Sequence, residues 1–381
     1  MSTTGGDETL FPEEFYIPDD GSGRAVNSVN PGLQALANRT KFLRAALLPA
    51  AALNLRAAVS TTTQMLRGIY LSGGQILPLW LAISATSNDL KQSFDGGASW
   101  PALSPAPTIG ILLDLASDTA AKPNVVVVGG IGGGVATYST TTGTWTNVAI
   151  ESGFQFDNAC VSYDPASALW CVVYRRTSGT LVKAWTSPDR ATWTQRTLPA
   201  AFLGALPSAI PLSATGGGTT VIANVAASGN VDVAYSTDGG ITWGSGNFAT
   251  FAGATIVRPV YGTGIFMILA YDAATYRTQV WTSATGAAWT KVQEYPTRVR
   301  MTALANVGKL WVSAGLIAFG AVVMLSRQVL YSIDNGVTWH PGGFGGIIQN
   351  IIGGPGAVML LDGANARPSI LLGPAPALAV V

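Results

Sequence analysis

Across 381 residues only 11% are charged and 48% are hydrophobic, with a formal net charge of +1, the reverse of a disordered composition. So small a net charge gives no basis for binding nucleic acid or an anionic membrane surface. A surface this poor in charge is expected to be partly covered by other subunits.

In chain order, residues 1–30 read as an extended docking arm. The first twenty carry six acids and no base, with Phe11, Phe15 and Tyr16 among them, and they lack the apolar stretch of a secretory signal. Asn30 and Pro31 then form a helix start, an N-cap followed by proline in the first turn. The predicted helix covers 31–49, with Leu33, Leu36, Thr40, Leu43 and Leu47 on one a/d-like seam and Pro49 as its stop. It reads either as a single helix packed on the rest of the chain or as a short coiled coil.

The segment Gly32–Leu43 (GLQALANRTKFL), preceded by the Val-Asn-containing stretch Ala25–Asn30, resembles a helix common near the N-termini of bacteriophage tail-fibre and tail-associated proteins. The resemblance implies a virion structural protein, assembled in the host cytoplasm and joined to other tail proteins through residues 1–49. The remainder would face outward and recognise a host-surface glycan or protein. A trimeric homo-oligomer is implied by analogy with tail fibres.

From residue 50 onward the composition changes. The chain has 45 glycines and 21 prolines, scattered among Thr- and Val-rich runs, which predict many short strands joined by tight turns. Six segments repeat: Ser93–Trp100 (SFDGGASW), Ser139–Trp145 (STTTGTW), Ser187–Trp193 (SPDRATW), Ser236–Trp243 (STDGGITW), Ser283–Trp289 (SATGAAW) and Ser332–Trp339 (SIDNGVTW). Their tryptophans lie 45, 48, 50, 46 and 50 residues apart, a period that means a propeller blade or a solenoid unit. The segments resemble the Asp box, or bacterial neuraminidase repeat, S-x-D-x-G-x-T-W. The first, fourth and sixth copies match best; the other three are one residue shorter.

The residue types suit a turn. A carboxylate at Asp95, Asp189, Asp238 or Asp334 can accept from backbone N–H groups that a hairpin leaves free, as can the hydroxyls of Ser93, Ser236 and Ser332. Gly97, Gly240 and Gly336 supply positive φ. Trp100, Trp145, Trp193, Trp243, Trp289 and Trp339 open the next strand as apolar wedges between blades.

In Asp-box propellers the box joins the third and fourth strands of a blade, so the rest of each repeat should hold the next blade's inner strands. The runs Phe156–Tyr163, Leu169–Tyr174 and Leu181–Thr186 fit this, as do Thr255–Tyr261, Ile265–Tyr271 and Gln279–Thr282. Before the first box come Gln64–Leu71 and Ile76–Ser84; after the last come Ile347–Ile352, Ala357–Leu361 and Ser369–Leu372. The ends are short of one outer strand, and Leu53–Val59 is left to supply it. The fold class is therefore an all-β Asp-box propeller over residues 50–381, with seven blades favoured over six, closed by a sheet shared between the two ends.

Two further features bear on the fold. Cys160 and Cys171 flank Asp164–Ser167, and a two-residue hairpin there would set them opposite each other, bonded or as buried thiols. The apolar run Leu310–Leu325 is shorter than the ~20 residues of a membrane helix and is interrupted by Gly315 and Gly320; two buried strands account for it.

Candidate chemistry is sparse. Asp-box sialidases hold a substrate carboxylate with three arginines and use a Tyr/Glu pair with an Asp, and they carry an Arg-Ile-Pro-like motif. Here Ile17–Pro18 lacks the Arg and Arg67–Tyr70 lacks the Pro. Arg67, Asp114, Asp157, Arg258, Arg298 and Arg300 fall on or beside innermost strands, where they would form an ion-pair plug or hold an acidic sugar. Glu294 and Tyr295 are expected in a loop near Arg298. His340 is the sole histidine and is expected on an outer strand, which excludes a multi-histidine metal site. Gly132–Gly134 read as a turn rather than a phosphate loop, and no cofactor site is predicted. Function is expected to be attachment, with a virion-borne glycan-cleaving enzyme as the alternative.

Overall fold

The computed structural model describes residues 2–4, 15–17, 54–55, 65–71, 79–84, 89–94, 99–120, 122–130, 133–151, 156–176, 182–202, 212–225, 231–247, 254–272, 275, 277–295, 299–319, 322–344, 348–354, 357–362 and 370–373. The chain divides into two compact units, Met1–Ala51 and Ala52–Val381.

In the first unit, β1 (Ser2–Thr4) pairs antiparallel with β2 (Phe15–Ile17), Ser2 facing Ile17. The β-branched and aromatic residues of both segments favour a ladder, so these parts of the predicted extended arm fold back on each other. The predicted helix 31–49, with Leu33, Leu36, Leu43 and Leu47, lies outside the described residues.

The second unit is a β-propeller of antiparallel four-position sheets. The strands β7 (Leu112–Ser117), β8 (Asn124–Gly129), β9 (Gly134–Ser139) and β10 (Thr144–Ala149) form one sheet. The next holds β11 (Phe156–Asp164), β12 (Leu169–Arg176), β13 (Val182–Ser187) and β14 (Thr194–Arg196). A third follows in the same order with β15 (Leu212–Gly216), β16 (Thr219–Val225), β17 (Val231–Ser236) and β18 (Gly244–Asn247). In the fourth, β19 (Ala254–Ile256) and β20 (Val260–Gly262) share the innermost position beside β21 (Ile265–Asp272), β22 (Arg277–Ser283) and β23 (Thr290–Tyr295). The fifth is β24 (Val299–Val307), β25 (Leu310–Phe319), β26 (Val322–Ser332) and β27 (His340–Phe344).

Chain ends meet in the sixth sheet. There β28 (Ile348–Gly354), β29 (Ala357–Asp362) and β30 (Ile370–Gly373) are completed by β3 (Asn54–Leu55), which pairs with β30 through Asn54–Gly373 and Leu55–Leu372. Between this sheet and the β7–β10 sheet lies a three-stranded one, β4 (Met65–Leu71), β5 (Leu79–Ser84) and β6 (Leu90–Ser93). Among the described residues six sheets thus have all four positions, against the seven expected. At the remaining fourth position the described residues form one bridge, Lys91 to Ala102. Pro101 precedes it, and a proline cannot donate to a ladder.

Apolar clusters fill the spaces between neighbouring sheets. Val126, Val128 and Val135 meet Trp170, Val172 and Tyr174; Val221 and Val233 meet Phe266 and Ile268. The central strands β8, β16 and β21 are buried over most of their length, which is why they read as continuous apolar runs, whereas the outer β10 is exposed at four of six positions. Trp80 and Ile352 close the contact between the three-stranded sheet and the chain-end sheet.

Three local expectations change. The hairpin between β11 and β12 spans four turn residues, 165–168, so Cys160 pairs with Val173 and Cys171 with Ser162. Both thiols are buried and unbonded. The predicted strand Thr255–Tyr261 is broken at Val257–Pro259, because Pro259 offers no N–H. Glu294 and Tyr295 sit in the outer strand β23 rather than in a loop. Among the described residues there is no α-helix, only a 3-10 turn at Ala200–Phe202, and no helix long and apolar enough to cross a membrane. The apolar run from Leu310 is β25 and the start of β26.

Candidate functional site

The polar groups of the propeller concentrate in two places: the box turns on its rim and the central channel. At a box, the serine ending the third strand accepts from the turn: Gly240 N–H donates to Ser236 Oγ at 2.8 Å and Gly336 N–H to Ser332 Oγ at 2.9 Å. The carboxylate accepts from the residues that follow, as Asp238 Oδ1 does from Ile241 N and Thr242 N, and Asp334 Oδ1 from Thr338 N. The ring N–H of the tryptophan closes the loop on a backbone oxygen three residues back: Trp193 on Arg190, Trp243 on Gly240, Trp289 on Gly286 and Trp339 on Gly336. In the fifth copy Thr285 Oγ1 stands in for the carboxylate, accepting from Ala287 N at 3.3 Å.

These contacts set the electrostatics of the boxes. Backbone N–H groups of Thr192 and Ala191 hold the Asp189 carboxyl down at about 2. Burial pushes the Asp238 and Asp334 carboxyls up, but hydrogen bonds from Thr242 and Thr338 outweigh it and both end below the ordinary carboxylate value. The turn needs the left-handed conformation, taken by Arg190, Gly239 and Asn335. The second copy departs: Trp145 Nε1 donates to Pro105 O at 2.7 Å, outside its own turn. Ser93 is buried and Trp100 packs beside Trp80, while Asp95 and Gly97 lie outside the described residues. The third, fourth and sixth boxes are structural clasps closed by hydrogen bonds within the turn.

The innermost strands surround a central channel of about 440 Å³. Asp114, on β7, is buried, and its Oδ1 accepts from Arg258 Nη1 at 2.7 Å while its Oδ2 accepts from Val161 N at 3.0 Å. Arg258 projects inward from the break between β19 and β20, and donates through Nε to Ser213 O at 2.8 Å and through Nη2 to Val161 O at 3.3 Å. One guanidinium thereby ties β7, β11 and β15 together. Burial pulls its pKa down, and the charge and hydrogen bond of Asp114 more than offset that, so the net direction is up. Arg67, on β4, also lines the channel; its pKa is lowered by burial, with Asp114 raising it and Arg258 lowering it further. Burial lifts the Cys160 thiol, beside this cluster, to about 12, leaving it protonated at neutral pH.

The other candidates are not brought here. Arg300 is exposed and lies over the Tyr271 ring at 5.2 Å, off the channel wall. Asp157 falls at a bulge of β11 and its side chain lies outside the described residues, as does Arg298. Glu294 is held by Arg277 at 2.7 Å and Lys291 at 2.9 Å, which lower its pKa, and Tyr295 Oη donates to Trp339 O. His340 starts the outer strand β27 and stacks against Tyr331. Residue reading missed the channel hydroxyls of Ser162 and Ser213 and the amide of Asn306. Small polar residues in a strand carry no signal until the channel around them is known.

The sequence model of the BNR/Asp-box repeat matches residues 234–243. No curated protein matches the chain. Among solved structures, YCF48 bound to D1 peptide is similar at 11% identity and TM-score 0.57, covering 86% of this chain and 99% of that one. YCF48 from Cyanidioschyzon merolae is similar at 13% identity and TM-score 0.57, covering 84% of this chain and 99% of that one. Raptor from Chaetomium thermophilum follows at 9% identity and TM-score 0.56, covering 86% of this chain but 29% of that one. At such identities the likeness is one of fold, a β-propeller.

Proposed function

We propose that this chain is a structural component of a bacteriophage particle, a tail fibre, spike or similar appendage, whose propeller serves attachment or host-surface recognition rather than catalysis. One observation carries the non-catalytic part: Arg258 spends its donors on Asp114, Ser213 and Val161, tying three sheets together. The Glu294–Tyr295 pair that a sialidase-like mechanism would recruit is engaged on an outer strand. The mounting role of residues 1–49 rests on the resemblance of Gly32–Leu43 to tail-fibre helices. Low surface charge supports a homo-oligomer, taken as a trimer.

Deleting residues 1–49 tests the reading. The remaining propeller should fold and fail to join the particle in an assembly assay; incorporation of the truncated chain overturns the mounting role. Turnover of host-surface glycans by the intact chain, lost on Arg258→Ala, would overturn the non-catalytic part.

The three-stranded sheet β4-β5-β6 is taken here as a seventh blade with a weak outer strand. Contacts of β4 with β7 on one side and β28 on the other support this count. A density map viewed down the channel axis, with six spokes rather than seven, would refute it.

A further inference from the structure

Among the described residues, two guanidiniums, Arg67 and Arg258, line the channel, and one carboxylate, Asp114, is buried beside them. Arg258 takes that carboxylate at 2.7 Å. Arg67 feels the charge of Asp114, yet among the described residues no hydrogen bond or ion pair to it is present. Guanidinium does not shed its proton in a protein, and Arg67 is half-buried, so its charge keeps only part of its hydration. Ser162 and Asn306 line the same channel, and their Oγ and Nδ2 atoms are buried in its wall without a partner among the described residues.

We propose that the channel binds a singly charged carboxylate, with Arg67 as its cationic partner. The charge count selects the ligand. One added carboxylate neutralises the second guanidinium, whereas a phosphate dianion would leave the channel negative beside Asp114. A guanidinium fork also matches the two oxygens of a carboxylate in one plane. The channel volume, about 440 Å³, admits a monosaccharide-sized acid or the end of a peptide. The site is independent of how residues 1–49 mount the protein, so a failed assembly test leaves it standing.

The experiment is calorimetric titration of the full chain with glucuronate, its methyl ester, a tripeptide with a free C-terminus, the same tripeptide amidated, and inorganic phosphate. At least one free carboxylate should bind while its ester or amide and phosphate do not; whichever acid binds tighter identifies the source. Arg67→Gln should weaken binding by about tenfold or more, the loss of one charge-assisted contact. It should also raise the melting temperature of the ligand-free protein, because a half-buried charge with no partner among the described residues is removed. Equal binding of acid and ester, preference for phosphate, or no binding by either acid overturns the proposal. So does an Arg67→Gln protein that melts lower and binds as before, which is the behaviour of a structural cation. Should that variant not fold, the comparison of acid with ester on the unaltered chain still decides.

Discussion

The rim boxes and the central channel are built from the same small set of polar residues and end in opposite states. At a box, Ser236, Asp238 and Thr242 lie within seven residues and hydrogen-bond one another and the turn backbone. Around the channel, Asp114 and Arg258 are 144 residues apart in sequence, and the Arg67 guanidinium, Ser162 Oγ and Asn306 Nδ2 have no hydrogen-bond partner among the described residues. Local polar clasps can be completed by the chain that forms them; a channel where sheets converge is completed only by whatever the converging strands happen to present. The rim therefore holds the fold, and the channel is where capacity for a ligand is left over.

Breaking the rim should cost most. Trp339 is 7% exposed and packs with Met267, Leu304 and Trp311, so Trp339→Ala should destabilise by about 3–5 kcal/mol, read from denaturant midpoints. Trp243 is only half-buried, and Trp243→Ala should cost less than that while still lowering the melting temperature; equal losses would mean that burial does not govern these wedges. The channel tie comes next. Asp114→Leu strands Arg258, whose side chain keeps 26% exposure, and should cost about 3 kcal/mol. Adding Arg258→Met should recover most of it in a double-mutant cycle. A double variant as unstable as the single one would show that the pair is more than an electrostatic tie.

Smaller effects separate box positions from ordinary turns. A Cβ at Gly336 would lie 2.8 Å from both Met267 Cε and Val280 Cγ1 at a φ of +87°, whereas Gly308, at +61°, has open space around it. Gly336→Ala should therefore cost roughly 2 kcal/mol, with overpacking added to strain, and Gly308→Ala only about 1 kcal/mol from strain. Equal costs would mean that the box glycine serves only its backbone angle.

The smallest effect is in acid. The Asp189 carboxyl is lower in the folded chain, at about 2, than its ordinary 3.8, so the unfolded state binds the proton more readily between those values. Its contribution is complete above about pH 4 and is lost as pH falls towards 2. Asp189→Asn should flatten the fall in denaturant midpoint over that window. An unchanged slope would place the acid sensitivity at other carboxylates.

What could be read from the residues follows the same division. The boxes, their position between third and fourth strands, and most inner strands were legible, because turn chemistry and strand period act over a few neighbouring residues. The register at Cys160 and Cys171 was not: Asp164 accepts from Ala166 N, Ser167 N and Ser167 Oγ, and this clasp lengthens the turn by two residues and moves the thiols apart. Nor was the inward turn of Arg258, which depends on Pro259 interrupting a strand. Asp114, Arg67 and Arg258 could be named as inner-strand charges. Arg300 could not be separated from them, since one bulge in β24 changes which way its residues point.

By itself the sequence determined an all-β propeller held by repeated Asp-box turns, since every contact within a box spans no more than about one turn of chain. Tertiary structure alone decided how many sheets are complete, which charges meet at the channel and which guanidinium lacks a partner among the described residues. Those outcomes depend on the angle at which distant strands converge, and no local interaction encodes that angle.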